Sequence, residues 1–252
     1  MAGAILSSFR RKSTMNAFIK AIKALDVEKV ESLIPKWAGY EEETGKNALH
    51  YLGSVKVGDD KTRAEKSLLI LQTLLKNGMD MNSIHRIEEE CDFFPATPLW
   101  YAYAKGRNKK LYRWLLESGA KPDNCMFAIA WNDDVEAAEM FQKHGAKIQD
   151  PSGKDTPFTA AFYWKRFRVA EWFLQKGADV NTRDEEGNTC LHLAVRKKYD
   201  PEAIQLLLRY GADVDLKNNE GISPKAMAET NRQRKFLTLF KSANDSLPKF
   251  DS

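Results

Sequence analysis

Apolar residues in the second half of the chain recur at helical spacing, in a pattern that stops and restarts at a regular interval. Within residues 187–218, Leu191, Ala194 and Val195 fall on one face of a short helix, and Ile204, Leu207 and Leu208 on one face of a second. The stretch before it has the same layout, with Thr189 standing 33 residues after Thr156. Each first helix opens at a hydroxyl able to cap its first turn, and after Thr156 comes Pro157, at a position that needs no amide donor. Each second helix closes at a glycine, Gly177 or Gly211, which can take the left-handed conformation that ends a helix. The polar segments Ala178-Asp179-Val180-Asn181 and Ala212-Asp213-Val214-Asp215 then reverse the chain. One such pair of helices cannot bury its own apolar face, so the pattern predicts a stack of them.

The residues Thr189-Cys190-Leu191-His192-Leu193-Ala194, followed by Leu206-Leu207-Leu208 and Gly211-Ala212-Asp213, resemble the ankyrin repeat. In the same register, weaker copies begin at Asn47, with Asn47-Ala48-Leu49-His50 and a closing Gly78. Others begin at Thr97, with Thr97-Pro98-Leu99-Trp100 and Gly119-Ala120, and at Asn124, with Gly145-Ala146. Ser223-Pro224 opens an abbreviated last copy, and residues 16–34 pair two amphipathic segments as an N-terminal cap. The resemblance implies an all-α solenoid of about seven stacked helix pairs joined by short hairpin fingers. It spans residues 16–240, between an N-terminal extension of 1–15 and a flexible tail of 241–252. It also implies that His50 and His192 are structural, bonding within their own repeats, and that partners bind on a concave face formed by the fingers and the first, inner helices.

Most of that face is ordinarily polar, and here large aromatic residues stand among its charged and polar ones. The positions just after the small residues of each inner helix carry Trp131-Asn132 and Tyr163-Trp164 in the fourth and fifth copies. Arg196-Lys197 stand there in the sixth, whose finger carries Glu185-Glu186, and Phe93-Phe94 stand in the finger of the third. Clustered aromatic side chains open to water mark interaction surfaces. Inner helices packed about 8–10 Å apart would merge Trp131, Tyr163 and Trp164 into one patch. The competing reading is core, since a slip of one residue turns these side chains inward; Trp100, Tyr101, Tyr103, Trp114, Trp172 and Phe173 are assigned to packing on the same register. The copy at Asn124 follows Gly119 too closely for a full finger and should leave a notch beside Trp131. "SVKVGDDKTRAEK" lengthens the connection inside the copy at Asn47, and "HRIEEECDFFPA" lengthens the next finger.

Composition narrows the function without naming it. No apolar run approaches the roughly 18 residues of a membrane span. Three cysteines, Cys91, Cys125 and Cys190, stand in different repeats, which favours a reducing compartment over a disulfide framework and makes the cytoplasm the expected location, with a non-classically secreted effector as the alternative. No nucleophile elbow, phosphate loop or zinc-ligand spacing occurs, so no catalytic, metal or cofactor residues are assigned. Glu41-Glu42-Glu43 and Glu88-Glu89-Glu90 read as solvated loops. The turns between paired helices are basic at Lys105, Arg107, Lys109 and Lys110, at Lys165, Arg166 and Arg168, and at Arg196, Lys197 and Lys198. With a net charge of only +4 and Asp133-Asp134 interrupting the stripe, nucleic acid is the weaker alternative. The expected function is a monomeric, non-catalytic module that binds a protein partner as an adaptor or effector, or as an inhibitor or immunity-type plug on a cognate enzyme.

Overall fold

A computed structural model describes residues 15–37, 39–90, 92–149 and 156–246 of the chain. Helices follow one another in pairs. The first pair is α1 (residues 15–24) with α2 (Val27–Trp37), and the second α3 (Ala48–Gly53) with α4 (Lys61–Lys76). In the third, α5 (Pro98–Trp100) runs on into a π-helical turn at Tyr101–Lys105 and is followed by α6 (Lys109–Glu117). Then come α7 (Cys125–Asn132) with α8 (Val135–Lys143), and α9 (Pro157–Tyr163) with α10 (Phe167–Gln175). The last two pairs are α11 (Cys190–Arg196) with α12 (Pro201–Arg209), and α13 (Pro224–Thr230) with α14 (Arg234–Ser246). A two-stranded antiparallel hairpin, β1 (His85–Glu88) and β2 (Phe93–Ala96), precedes α5.

The helices open where the hydroxyls and amides of the sequence place them. Thr97, Thr156 and Ser223 are extended at their caps, and their hydroxyl oxygens accept from the amides of Trp100, Thr159 and Ala226 at 3.2 Å each. At Asn47 and Thr189 the third helical residue is a histidine that completes the cap from the other side. His50 Nδ1 accepts from the Asn47 amide at 3.1 Å and His192 Nδ1 from the Thr189 amide at 3.0 Å. Since an amide can only donate, Nδ1 is the bare nitrogen, and Nε2–H donates to the Ser83 carbonyl at 3.1 Å in one case and the Ile222 carbonyl at 3.0 Å in the other. Each imidazole therefore bonds beyond its own cap, to the finger of the following repeat, as well as within its own. Burial depresses both, His50 to about 4.

A second device was not visible in the residue types. Between paired helices the chain turns through a single left-handed residue that is not glycine: Leu25, Arg107, Asp133, Lys165, Lys198 and Arg232 all have φ between 49° and 58°. Gly177 and Gly211 close α10 and α12 with φ of 91° and 82°, as expected.

The chain forms two compact units. The first comprises Met1–Ala128 and Met140–Ala146, and the second Ile129–Glu139 and Lys147–Ser252. In the first, Ile22, Leu49, Leu52, Ile70, Leu74, Leu99 and Phe141 are almost wholly buried. Its inner helices meet at glycines: a Cβ on Gly106 would lie 2.1 Å from the Gly53 carbonyl oxygen, so no larger residue fits. In the second, Phe158, Phe162, Phe173, Leu191, Ile204 and Leu207 form the core. Successive repeats there are joined by side-chain amides, as where Gln149 donates to the Gly177 carbonyl at 2.8 Å and Asn181 to that of Gly211 at 3.2 Å.

Several expectations change. Residues 61–66 of the lengthened connection belong to the long helix α4, which leaves only 54–60 between α3 and α4. Asn124 is left-handed, with φ of 59°, and does not cap α7 as the hydroxyl residues cap theirs. Trp100 and Trp114 are half-buried, whereas Tyr101, Tyr103, Trp172 and Phe173 are in the core. α14 runs to Ser246, beyond residue 240. The N-terminal extension up to residue 14, Cys91, the finger at 150–155 and the tail from residue 247 lie outside the described residues, so the expected notch is seen only as the short connection before α7.

Candidate functional site

In the second unit the left-handed turns align one repeat with the next, and each is preceded by two residues at the end of an inner helix. Two positions before the turn stand Trp131, Tyr163, Arg196 and Thr230, and all four are exposed. Trp131 is 53% accessible and Tyr163 58%, large values for aromatic side chains on helices. One position before the turn stand Asn132 and Trp164, both half-buried, and Lys197 and Asn231, both exposed. Trp164 was expected in the open; it lies instead edge-on against Trp131, with ring centroids 4.9 Å apart, and each shields part of the other. The Arg166 guanidinium sits 5.8 Å from the centre of the Trp131 ring, and its buried Nε has no hydrogen-bond partner among the described residues.

Beside this row a groove of about 280 Å³ opens between the inner helices α9 and α11 and the finger that precedes α11. Its apolar lining is Ala160, Tyr163, Trp164 and Leu193, and its polar rim includes Thr159, Arg183, Asp184 and Arg196. The finger is held rigidly. Asp184 accepts from the Asn188 amide at 2.7 Å, the Arg183 guanidinium donates to the Gly187 carbonyl at 3.2 Å and the Lys217 carbonyl at 2.8 Å, and Asn218 donates to the Asn188 side chain at 2.9 Å. Tyr199 packs beneath, with its hydroxyl donating to the Tyr163 carbonyl at 3.0 Å. A groove with an aromatic wall and a fixed rim can receive a side chain without first reorganising, which lowers the cost of binding.

Of the residues expected from sequence, Tyr163, Trp164 and Arg196 line this groove and Trp131 adjoins it through Trp164. Glu186 stands at its edge, 3.7 Å from Arg196, while Glu185 and Lys197 are exposed nearby in the finger and at the end of α11. Phe93 and Phe94 are not part of it. They belong to β2 in the first unit, where Phe93 is exposed under the Arg86 guanidinium and Phe94 is half-buried against Trp100, with centroids 5.1 Å apart. Thr159, Arg183 and Leu193 were missed, because finger and inner-helix faces can be read from register only once the turn positions are known. The first unit has a polar aromatic cluster of its own, in which Lys46 Nζ lies 4.7 Å from the Tyr51 ring centre and His85 Nδ1 lies 2.7 Å from the Tyr101 hydroxyl. Among the described residues no group of three or more His, Cys, Asp or Glu is placed to hold a metal ion, and no helix is long and apolar enough to cross a membrane.

The family description "Ankyrin repeats (3 copies)" matches residues 125–218, the stretch that contains the groove. Residues 125–218 are ankyrin repeats, and the fold of the chain is the ankyrin-repeat fold. An ankyrin repeat protein of Rickettsia bellii is 34% identical over 112 residues, which cover 43% of this chain and 45% of that protein. One of Rickettsia felis is 28% identical over 103 residues, 39% of this chain and 43% of that one. The chain thus spans less than half the length of these relatives. The ankyrin repeat domain of human ASB11 superposes with a TM-score of 0.64 at 22% identity, over 88% of this chain and 96% of that domain. That of Bcl-3 superposes with a TM-score of 0.65 at 19% identity, over 89% and 97%, so these likenesses carry the fold alone. Ankyrin repeats are in general protein-binding modules rather than enzymes.

Proposed function

We propose that this chain is a non-catalytic binding module that takes a partner protein on the inner-helix face of its second unit, at the groove of Tyr163 and Trp164 and the adjoining Trp131, and acts in the cytoplasm as an adaptor or effector. The observation that carries the reading is the exposure of Trp131 and Tyr163 at equivalent positions of successive repeats, beside a groove whose rim is already ordered. Neither ring is needed to close the core, and central aromatic anchors of this kind dominate many interfaces.

The test is a double variant, Trp131→Ser with Tyr163→Ser. Surface changes leave stability within about 1 kcal/mol, so its melt should nearly overlay that of the parent. Affinity capture with the intact variant should lose partners that the parent retains. A drop of the size produced by truncating a buried tryptophan, about 3–5 kcal/mol, returns the residues to the core. An undiminished set of captured proteins removes the site. A plug on a cognate enzyme would show itself in the same capture as one retained enzyme whose activity is abolished.

A further inference from the structure

The charges around the groove are unequal in what they already do. On the finger side the carboxylates are engaged: Asp184 accepts from the Asn188 amide, and Glu186 accepts from the Asn188 side chain at 2.9 Å. Asp133, at the turn of the preceding repeat, accepts from the Val169 amide at 2.9 Å. On the turn side the cations are idle. Lys197 and Lys198 are exposed and have no carboxylate partner among the described residues. Lys165 lies only over the Tyr199 ring, at 4.6 Å, and Arg166 only over Trp131. The single ion pair of Arg196, to Glu186, is 3.7 Å long with both side chains about half or more in solvent, and such a pair contributes little.

We infer that the partner element is an acidic segment of a protein chain that seats one apolar side chain in the groove between α9 and α11 and lays neighbouring carboxylates along Lys165, Arg166, Arg196, Lys197 and Lys198. This rests on the reading of the groove as a protein-binding site. Complementarity has two components at one place. The apolar wall of Ala160, Tyr163, Trp164 and Leu193 takes the anchor, and the row of unengaged cations at the end of the same two inner helices takes the charge. A nucleic acid or an acidic lipid surface would use the cations and leave the groove empty, so the apolar anchor separates the cases.

The full chain is titrated against fluorescein-labelled Asp-Glu-Asp-Leu-Asp-Glu-Asp, the same peptide with serine for leucine, and the same peptide with lysine for every acid. A DNA duplex and vesicles of phosphatidylcholine with phosphatidylserine complete the series. The leucine peptide should bind, and each altered peptide should bind at least about tenfold more weakly. Two variants that leave the melt in place, Tyr163→Ser and Arg196→Glu with Lys197→Glu, should each lose about tenfold or more for the leucine peptide. Failure of the leucine peptide to bind overturns the inference. So does equal binding of the serine peptide, or preferential binding of the duplex or the vesicles. If the leucine peptide fails while Tyr163→Ser with Trp131→Ser still strips captured partners, the binding face stands and only the acidic chemistry falls.

Discussion

The left-handed turns of the second unit give a measurement whose sign differs from repeat to repeat. A non-glycine residue held in that region costs about 1–2 kcal/mol, and glycine there gives back about 0.5–1 kcal/mol through its greater freedom in the unfolded chain. Replacement by glycine should therefore stabilise by about 0.5–1 kcal/mol wherever the side chain has no work. Lys198 is such a residue, with φ of 53°, an exposed side chain and no partner among the described residues. Lys198→Gly should raise Tm by about 1–4 °C, given about 2–4 °C per kcal/mol in a chain of this size. Lys165, with φ of 57°, also places its ammonium 4.6 Å from the centre of the Tyr199 ring, a contact that contributes about 0.5–1 kcal/mol at an exposed site. Lys165→Gly should leave Tm almost unchanged.

Asp133 should go the other way. Arg166, at the start of α10, caps nothing with its side chain, and the Val169 amide donates instead to the carboxylate of Asp133 in the preceding repeat. Val169 is fully buried, so Asp133→Gly strands a donor at a cost of about 1–3 kcal/mol, more than the relief of the turn. Thermal melts of the three single variants by circular dichroism at neutral pH decide it. The expected order is Lys198→Gly above the parent, Lys165→Gly level with it and Asp133→Gly below. Three shifts of one sign, or a Lys198→Gly melt below the parent, would refute the reasoning.

Other outcomes follow from the same structure. Gly106→Ala should destabilise by about 3 kcal/mol or more, because its Cβ meets a backbone oxygen at 2.1 Å that has no side chain to swing aside; a parental urea midpoint would show the inner helices of the first unit are not so close. Gly177→Val and Gly211→Val should each lose about 1–3 kcal/mol through backbone strain alone, since open space surrounds both; a parental melt in either would displace the repeat register. Burial lowers the folded-state value of His50 to about 4 from the ordinary 6.5, so its contribution is complete above about pH 6.5 and is lost as pH falls towards 4, on the order of 3 kcal/mol in all. Melts across that window should fall steeply in the parent and less so in His50→Gln, whose amide can reproduce both hydrogen bonds; equal slopes would place the acid sensitivity elsewhere.

How much of this could be read from residues alone depended on whether a residue type has one physical use or several. A threonine before proline has few, and Thr97 and Thr156 capped the helices assigned to them. A glycine three residues past an apolar run has few, and Gly177 and Gly211 are left-handed. Tyr163 and Trp164 are different, because either face of a short helix accepts an aromatic ring. The register made both exposed, and only the first is, since Trp164 turns back on the Trp131 ring. That contact spans two inner helices and cannot be written in either repeat. The long finger at residues 85–96 was legible as an insertion but not as a pair of hydrogen-bonded strands, for those strands carry Pro95 and three consecutive acids run from the first strand into the turn. Least legible were Asp133, Lys165 and Lys198 as turn residues, because nothing in a lysine announces a positive φ.

Those lysines link stability to the proposed function. A left-handed turn is satisfied best by glycine, and this chain spends glycine freely at the ends of its outer helices while placing Lys165, Lys198 and Arg232 at the ends of its inner ones. Asp133 has a structural reason in the amide it caps, and Lys165 a partial one in Tyr199, but Lys198 touches nothing that stabilises the fold. A residue that weakens a fold and is not needed by it is the pattern left where binding competes with stability. On the reading proposed for the groove, the ammonium of Lys198 continues the cationic row begun at Arg196 and Lys197, and the backbone strain there is the counterpart of an electrostatic contact made only when an acidic segment is bound.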